Sequence, residues 1–372
     1  MLLVIGIFLF VCLVIVHEFG HYYAARKSGV VVEEFGIGFP PKVWGKKLKS
    51  KMLLSINLLP LGGFVRLKGE NDSATDKGSY GSATLGNKVK IMTAGVVMNL
   101  ITAILIFFVL ALIGMPKLFE NQFSVASDTI VSSKDVLIAV VEPGSPAEKA
   151  GFKVQDKIIG VGKTPTTIVE VIDVEQFPNE TEKLADQSAY VSFERAGKRQ
   201  MAQVQLRSTE EVDESKNTDN PKGYLGITPT VYELRRSTWS APIVAVGSAG
   251  QFTWMTLNGL GSAIASIFTG NGSEAAQQVA GPVGIFVILK DGSLLGTRFI
   301  LMIIGIISLT LAIMNILPIP ALDGGRLFVT LAYRAMKKPL TKEKEDLIHG
   351  VGFVALMILF VLITVIDVRR FF

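Results

Sequence analysis

Four long apolar runs, at roughly 1–25, 89–115, 299–317 and 347–366, constrain this chain more than any other feature. A helix rises 1.5 Å per residue, so about 20 apolar residues cross a hydrocarbon core of about 30 Å. Only 19% of the 372 residues are charged and the mean hydropathy is +0.45, against about 25% charged in soluble proteins. The expected fold class is therefore a multi-pass α-helical membrane protein with four spans and the lipid bilayer as its surroundings. In a soluble protein the net charge of +5 would suggest nucleic acid. Here the basic excess flanks the apolar runs, so topology explains it and no nucleic-acid partner is expected. The first run lacks a basic leader and an Ala-x-Ala cleavage site, and reads as a retained span. The single cysteine, Cys12, lies within it. No intrachain disulfide can form, the apolar setting argues against thiol catalysis, and no redox compartment is indicated.

The loops orient the spans. Residues 26–90 carry twelve Lys/Arg against five Asp/Glu, and residues 323–346 carry six against four. Both read as cytoplasmic. Residues 117–240 carry fifteen basic and nineteen acidic groups, which fits the outside. The expected order is N-out, in, out, in, C-out. A fifth stretch, 241–269, mixes Ser248, Gln251, Asn258 and Ser262 among apolar residues and reads as interfacial rather than spanning. Leu53–Leu67 reads as two short strands around a Pro-Leu-Gly-Gly turn. Its apolar content suits a hairpin dipping back to membrane depth, where its backbone is covered or lines a cavity. Residues 135–230 alternate short strands and turns with one short helix, the pattern of a small open β-barrel. The expected divisions are an N-terminal membrane half (1–115), an extracytoplasmic α+β domain (116–230), an interfacial helical segment (231–296) and a C-terminal membrane half (297–372).

The chemistry is concentrated in His17-Glu18-Phe19-Gly20-His21. Histidines four apart share one helix face and can bind one Zn²⁺, and the glutamate between them can take a proton from water. A charged group near the bilayer centre costs about 2.5–3.5 kcal/mol on insertion scales. Three ionisable groups continuing an apolar run need a compensating partner, which a metal supplies. Two imidazoles leave zinc short of a protein ligand, and the only other histidine is His349. His349 begins the fourth span and is assigned no function. The third ligand is thus expected to be Asp323, in Asn315-Ile-Leu-Pro-Ile-Pro-Ala-Leu-Asp323-Gly-Gly. The first and third spans run in the same direction, so His17, His21 and Asp323 all reach the cytoplasmic side. Pro318 and Pro320 break the third helix there and let the chain bend toward the metal. Asn99 and Asn315 are intramembrane amides. Asn99 reads as helix–helix glue, worth about 0.6 kcal/mol; Asn315 reads equally as glue or as a donor to the substrate carbonyl.

Taken together, the two motifs resemble the site-2 proteases, intramembrane zinc metalloproteases, and most of all the bacterial branch containing the regulator of sigma-E protease. Leu59-Pro-Leu-Gly-Gly-Phe-Val-Arg-Leu67, Gly281-Pro-Val-Gly284 and Ile319-Pro-Ala-Leu-Asp-Gly-Gly-Arg326 carry the same likeness, which covers essentially the whole chain. The resemblance implies that His17, His21 and Asp323 hold zinc and that Glu18 is the general base. It implies that the Leu53–Leu67 hairpin is a membrane-reentrant element pairing with unwound substrate, with Gly62, Gly63, Phe64 and Asn315 as substrate-binding residues. The outer region is implied to be a circularly permuted PDZ-like domain with Tyr224, Leu225, Gly226 and Ile227 as its peptide loop; the length permits one such domain where some relatives have two. The implied substrates are membrane-spanning anti-sigma factors or remnant signal peptides already trimmed by another protease. The implied location is the bacterial cytoplasmic (inner) membrane, with the PDZ-like domain outside the cytoplasm.

Overall fold

A computed structural model describes residues 2–216, 218, 221–269 and 280–372. Parts of the expected extracytoplasmic domain 116–230 and of the expected interfacial segment 231–296 lie outside the described residues. The chain forms two compact units, one of Met1–Leu110 with Ala241–Phe372 and one of Ala111–Ser240.

The first unit holds α1 (Leu2–Lys27), β1 (Val32–Lys47), β2 (Leu53–Leu67) and α2 (Leu85–Ile113). After the second unit it resumes with α6 (Ala241–Phe268), α7 (Pro282–Gly292), α8 (Thr297–Ile316), α9 (Asp323–Ala335) and α10 (Lys342–Phe371). Four of these, α1, α2, α8 and α10, are long and apolar enough to cross a membrane, as the sequence led us to expect. They are apolar around their whole circumference rather than along one stripe, which suits a helix surrounded by lipid and other helices. On α10, Val351, Val354, Ile358, Val361 and Leu362 all point outward. In water such a face would drive aggregation; in acyl chains it is the ordinary solvent-facing surface. Inside, Leu13 of α1 packs with Leu289 of α7 and with Ile300 and Ile304 of α8. The helix α6 is not among the four. Its buried residues Ala241, Val244, Ala245, Ser248, Ala249 and Phe252 recur every three or four positions, and the Phe252 ring lies 5.6 Å from Phe107 of α2.

The expected hairpin takes a different form. Leu53–Ile56 and Gly63–Arg66 do not pair with each other; both flank the first half of β1, with Gly36 opposite Ser55 on one side and Phe64 on the other. The second half of β1 turns back and pairs with Leu53–Asn57 from outside. The result is a curled sheet in the order 42–47, 53–57, 32–39, 63–67. Two features of the central strand hold it. A side chain at Gly36 would strike the Phe64 ring, 2.3 Å from a Cβ there. Buried Glu34 accepts bonds from Ser55 (2.6 Å) on one neighbour and from Arg66 on the other. A buried carboxylate needs such partners from both sides, and they fix the register.

The second unit is an open sheet in the order β3-β9-β4-β5-β7-β8, with β6 beside β5. Its strands are β3 (Met115–Pro116), β4 (Ile130–Val141), β5 (Lys157–Gly162), β6 (Val169–Glu170), β7 (Ser188–Arg195), β8 (Lys198–Gln205) and β9 (Ile227–Arg236). Ala196 and Gly197, both at positive φ, make the tight β7–β8 turn. The expected short helix is α3 (Pro146–Lys149), and two further ones, α4 (Gln176–Glu182) and α5 (Thr209–Ser215), join it. The core is Ile138, Ile158, Val161, Phe177, Val191, Phe193 and Leu225 with their neighbours.

Candidate metal centre

Because α1 is continuous through residue 27, His17 and His21 emerge one turn apart on the same buried face. The chain returns to them 302 residues later. Helix α8 ends at Ile316, a connector runs from Leu317 to Leu322, and α9 starts with Asp323. Proline has no N–H to continue a helix, so Pro318 and Pro320 supply the break. The Gly-Gly that follows is required by close backbone approach. A Cβ at Gly324 would lie 2.2 Å from the Ile316 carbonyl oxygen, and one at Gly325 would lie 1.9 Å from that of Ile319. Any other residue would push α9 off the connector and carry Asp323 away.

The three side chains meet. Oδ2 of Asp323 is 3.0 Å from Nε2 of His17 and 3.0 Å from Nε2 of His21, and the two Nε2 atoms are 3.2 Å apart. Zinc bound at about 2.0–2.1 Å by nitrogen and oxygen in a tetrahedron separates its ligands by about 3.3–3.4 Å. The triangle is within a few tenths of an ångström of that edge length, and its donor set of two imidazoles and a carboxylate is one zinc accepts. Hydrogen bonding alone satisfies it poorly, since two facing Nε2 atoms can share one hydrogen at most.

The surroundings fit the same reading. Nδ1 of His21 donates to the Ile91 carbonyl at 2.7 Å, which leaves Nε2 as a lone pair. The Asn99 amide lies 3.2 Å from Nδ1 of His17, and its buried oxygen has no partner among the described residues. Ligation through Nε2 puts the hydrogen of His17 on Nδ1, and turning the Asn99 amide about its Cβ–Cγ bond brings that oxygen up as acceptor. Beneath the triangle is Gly95, where a Cβ would lie 2.4 Å from Nε2 of His21 and 2.6 Å from Cε1 of His17. The helices can approach this closely because Gly20 of α1 faces the Ala94 carbonyl, 2.5 Å from where its Cβ would be.

Glu18 turns to the other side, toward the curled sheet. A Cβ on Gly63 would be 3.0 Å from Cγ of Glu18, so a bare backbone position of the sheet abuts the candidate base. The charged neighbours of Glu18 are His21, His17, Asp323 and Glu70. Of the other expected substrate residues, Gly62 packs on the Phe39 ring and Phe64 on Gly36. Asn315 donates its amide hydrogen to the Leu311 carbonyl at 3.0 Å, a bond within its own helix. In the second unit the expected peptide loop is folded into the domain. Leu225 is buried in the core, and the carbonyls of Tyr224, Leu225 and Gly226 accept from the backbone of Arg207, Ala147 and Glu142. A cavity of about 470 Å³ opens beside it, lined by Val140, Glu142, Pro143, Gly226 and Ile227 among others.

Sequence reasoning missed Gly95 and undervalued Asn99, whose cross-helix bond goes to His17 itself. Their spacing, Gly95-x-x-x-Asn99, sets both on one face of α2, and that periodicity was the available signal.

Comparison with known proteins gives a concordant result. The profile of peptidase family M50 matches residues 5–359. The chain is similar to a protein named "Probable protease eep" of Enterococcus faecalis, at 27% identity covering 98% of each chain. It is also similar to the zinc metalloprotease RasP of Shouchella clausii, at 25% identity covering 98% of each chain.

Proposed function

The chain belongs to peptidase family M50, the site-2 proteases, and on that premise we propose that His17, His21 and Asp323 hold its zinc and Glu18 is its general base. The protein is a zinc metalloprotease of a family that cuts within membranes. The observation that carries the residue assignment is the 3.0–3.2 Å triangle of Nε2, Nε2 and Oδ2 beside Glu18. Zinc in that triangle supplies Lewis acidity, which makes water an effective nucleophile near neutral pH. Glu18, projecting from the same helical turn, takes the proton of the attacking water and returns it to the leaving amine. Asp323 and the two histidines are oriented by second contacts through the connector, Ile91 and Asn99, so little reorganisation is needed at the moment of reaction.

A transmembrane substrate hides its carbonyls in intrahelical bonds and must unwind before it can be cut. We read the backbone at Gly62–Phe64 as the strand against which it is held. The closeness of Gly63 to Glu18 supports this, because a peptide paired there would run past the base. We read the second unit as PDZ-like and extracytoplasmic, screening substrates trimmed beforehand. The order β4, α3, β5 and the cavity beside Gly226 support that reading. Anti-sigma factors and remnant signal peptides are the substrate classes proposed, and the bacterial cytoplasmic membrane the location.

Glu18→Gln tests the assignment. The variant is expected to retain one zinc per chain and to cut a transmembrane substrate about 10²–10⁴-fold more slowly. Cleavage at the wild-type rate would remove Glu18 from the mechanism.

A further inference from the structure

The last helix touches the segment that carries Asp323. Between Leu317 and Leu322 the chain is neither helix nor strand, and two of its residues are prolines with no N–H to bond. Ala321 adopts φ +77°, a left-handed conformation that costs a residue with a Cβ about 1 kcal/mol or more. It persists only where the surroundings over-determine it. Those surroundings come from α10. Nδ1 of His349 accepts the Ala321 N–H at 3.1 Å. One turn on, Gly352 lies so close to Pro320 that a Cβ would be 2.4 Å from the proline Cβ and 2.7 Å from its carbonyl oxygen. His349 and Phe353 share with Ala321, Leu322, Asp323 and Arg326 the walls of a cavity of about 270 Å³. On α9 itself, Arg326 donates to Glu70 at 2.6 Å.

We propose that the His349–Phe353 turn of α10 is a clamp that sets the position of Asp323 toward the two histidines, with His349 as a positioning residue. The inference rests on the metal-centre reading above and extends it to a helix that contributes no ligand. It gives the fourth span a task besides membrane anchorage: it holds the Pro-Ile-Pro-Ala connector in its left-handed bend, and Asp323 follows two residues later. Because Nδ1 accepts from the backbone, neutral His349 carries its hydrogen on Nε2. The acceptor alone matters for the clamp. Asn can offer its amide oxygen at nearly the same distance from the helix, whereas Leu cannot.

The test is zinc affinity of the full chain in detergent, read by competition with a chromogenic zinc chelator, with proteolysis as a second readout. Changes to groups that orient a metal ligand typically weaken binding about 10–100-fold. His349→Leu is expected to fall in that range, and His349→Asn to restore binding to within about threefold of wild type on the same scale. Gly352→Ala probes the clamp without removing the hydrogen bond and improves helix propensity, so it guards against simple misfolding of the first variant. It is expected to lose affinity too. Wild-type affinity in both His349→Leu and Gly352→Ala, while Asp323→Ala loses zinc, would overturn the clamp and leave the metal centre standing. Wild-type affinity in Asp323→Ala as well would overturn the clamp together with the reading beneath it.

Discussion

Asp156 in the second unit is drawn fully out of water and Asp323 in the first, its side chain 25% exposed, only in part, and the two are satisfied in opposite ways. Asp156 is 1% exposed and meets the fork of Arg195 with Nε and Nη2 at 2.6 Å each, plus the Lys153 N–H at 2.9 Å. Its charge is cancelled by the chain itself. Asp323 faces only two imidazoles, and among the described residues no Lys or Arg nitrogen lies within 4 Å of it. Even a partly buried charge without a permanent counter-charge is unfavourable. The second unit is therefore electrostatically complete as a polypeptide, whereas the triangle proposed to hold zinc has no permanent counter-charge of its own. On the proposed reading the triangle is completed by a ligand and the second unit by its own side chains, which predicts that substitutions in each will be felt in different measurements.

The largest separation should come from Gly95→Ala. In most helix interiors this change stabilises by about 1 kcal/mol. Here the added methyl would sit 2.4 Å from Nε2 of His21, so zinc affinity should fall about 100-fold or more while the fold is kept. Gly259, on α6 with nothing within 4 Å of its would-be Cβ, is the matched control, and its alanine variant should bind zinc normally. Equal zinc affinity in the two variants would break the comparison.

Phe193→Ala should do the reverse. Phe193 is 4% exposed, and its ring lies 4.8 Å from that of Phe152, tilted by 56°, in the second unit's core. Truncation is expected to cost about 3–5 kcal/mol, seen as faster hydrogen exchange in β7, with zinc affinity unchanged. Asp156→Asn is a smaller step of the same kind. It leaves an acceptor in place but removes the charge facing a guanidinium that is 30% exposed and so partly compensated by water. About 1–2 kcal/mol is expected, in the same exchange measurement and again without loss of zinc. A zinc defect in either variant would mean that the two regions are not separable.

These contrasts also explain what could be read from the sequence. The histidine pair was legible because both residues sit on one helix, where four-residue spacing dictates geometry. Asp323 was legible because a polar group at membrane depth, beside two helix-breaking prolines, needs a reason to be there. The four spans were legible from length and apolarity alone. The pairing of the curled sheet was not. Alternation in Leu53–Leu67 announces two strands but says nothing of their partner, and the partner is Val32–Ile37, held by Glu34 accepting from both sides. The strand β9 was obscured by Pro229, which argues against a central strand. It is tolerated because β3 covers only Leu234 and Arg235, leaving the start of β9 an edge. Gly95, Asn99 and His349 owe their significance to which helix crosses which, information carried by tertiary packing and not by local pattern.

The mildest contrast lies in a third carboxylate, Asp128, which the second unit satisfies without any cation. It accepts from the backbone N–H and hydroxyl of Thr238 at 2.8 and 2.5 Å, and from those of Ser240 at 2.9 and 2.6 Å. Partial desolvation pushes its carboxyl up, but the bonds from Ser240 and Thr238 outweigh this and hold it well below the ordinary carboxylate range. The sign follows from linkage. A group whose folded value is depressed contributes fully above its unfolded value, near 3.9, and that contribution is lost as pH falls through the folded value. Protection of the Thr238 and Ser240 amides, corrected for intrinsic exchange, should therefore hold at neutral pH and weaken progressively below about pH 4. Asp128→Asn should flatten that dependence, since its amide oxygen accepts equally at every pH. If the dependence survived in the Asn variant, another acidic group would be responsible, and the second unit would not be closing its carboxylates one by one as Asp156 and Asp128 imply.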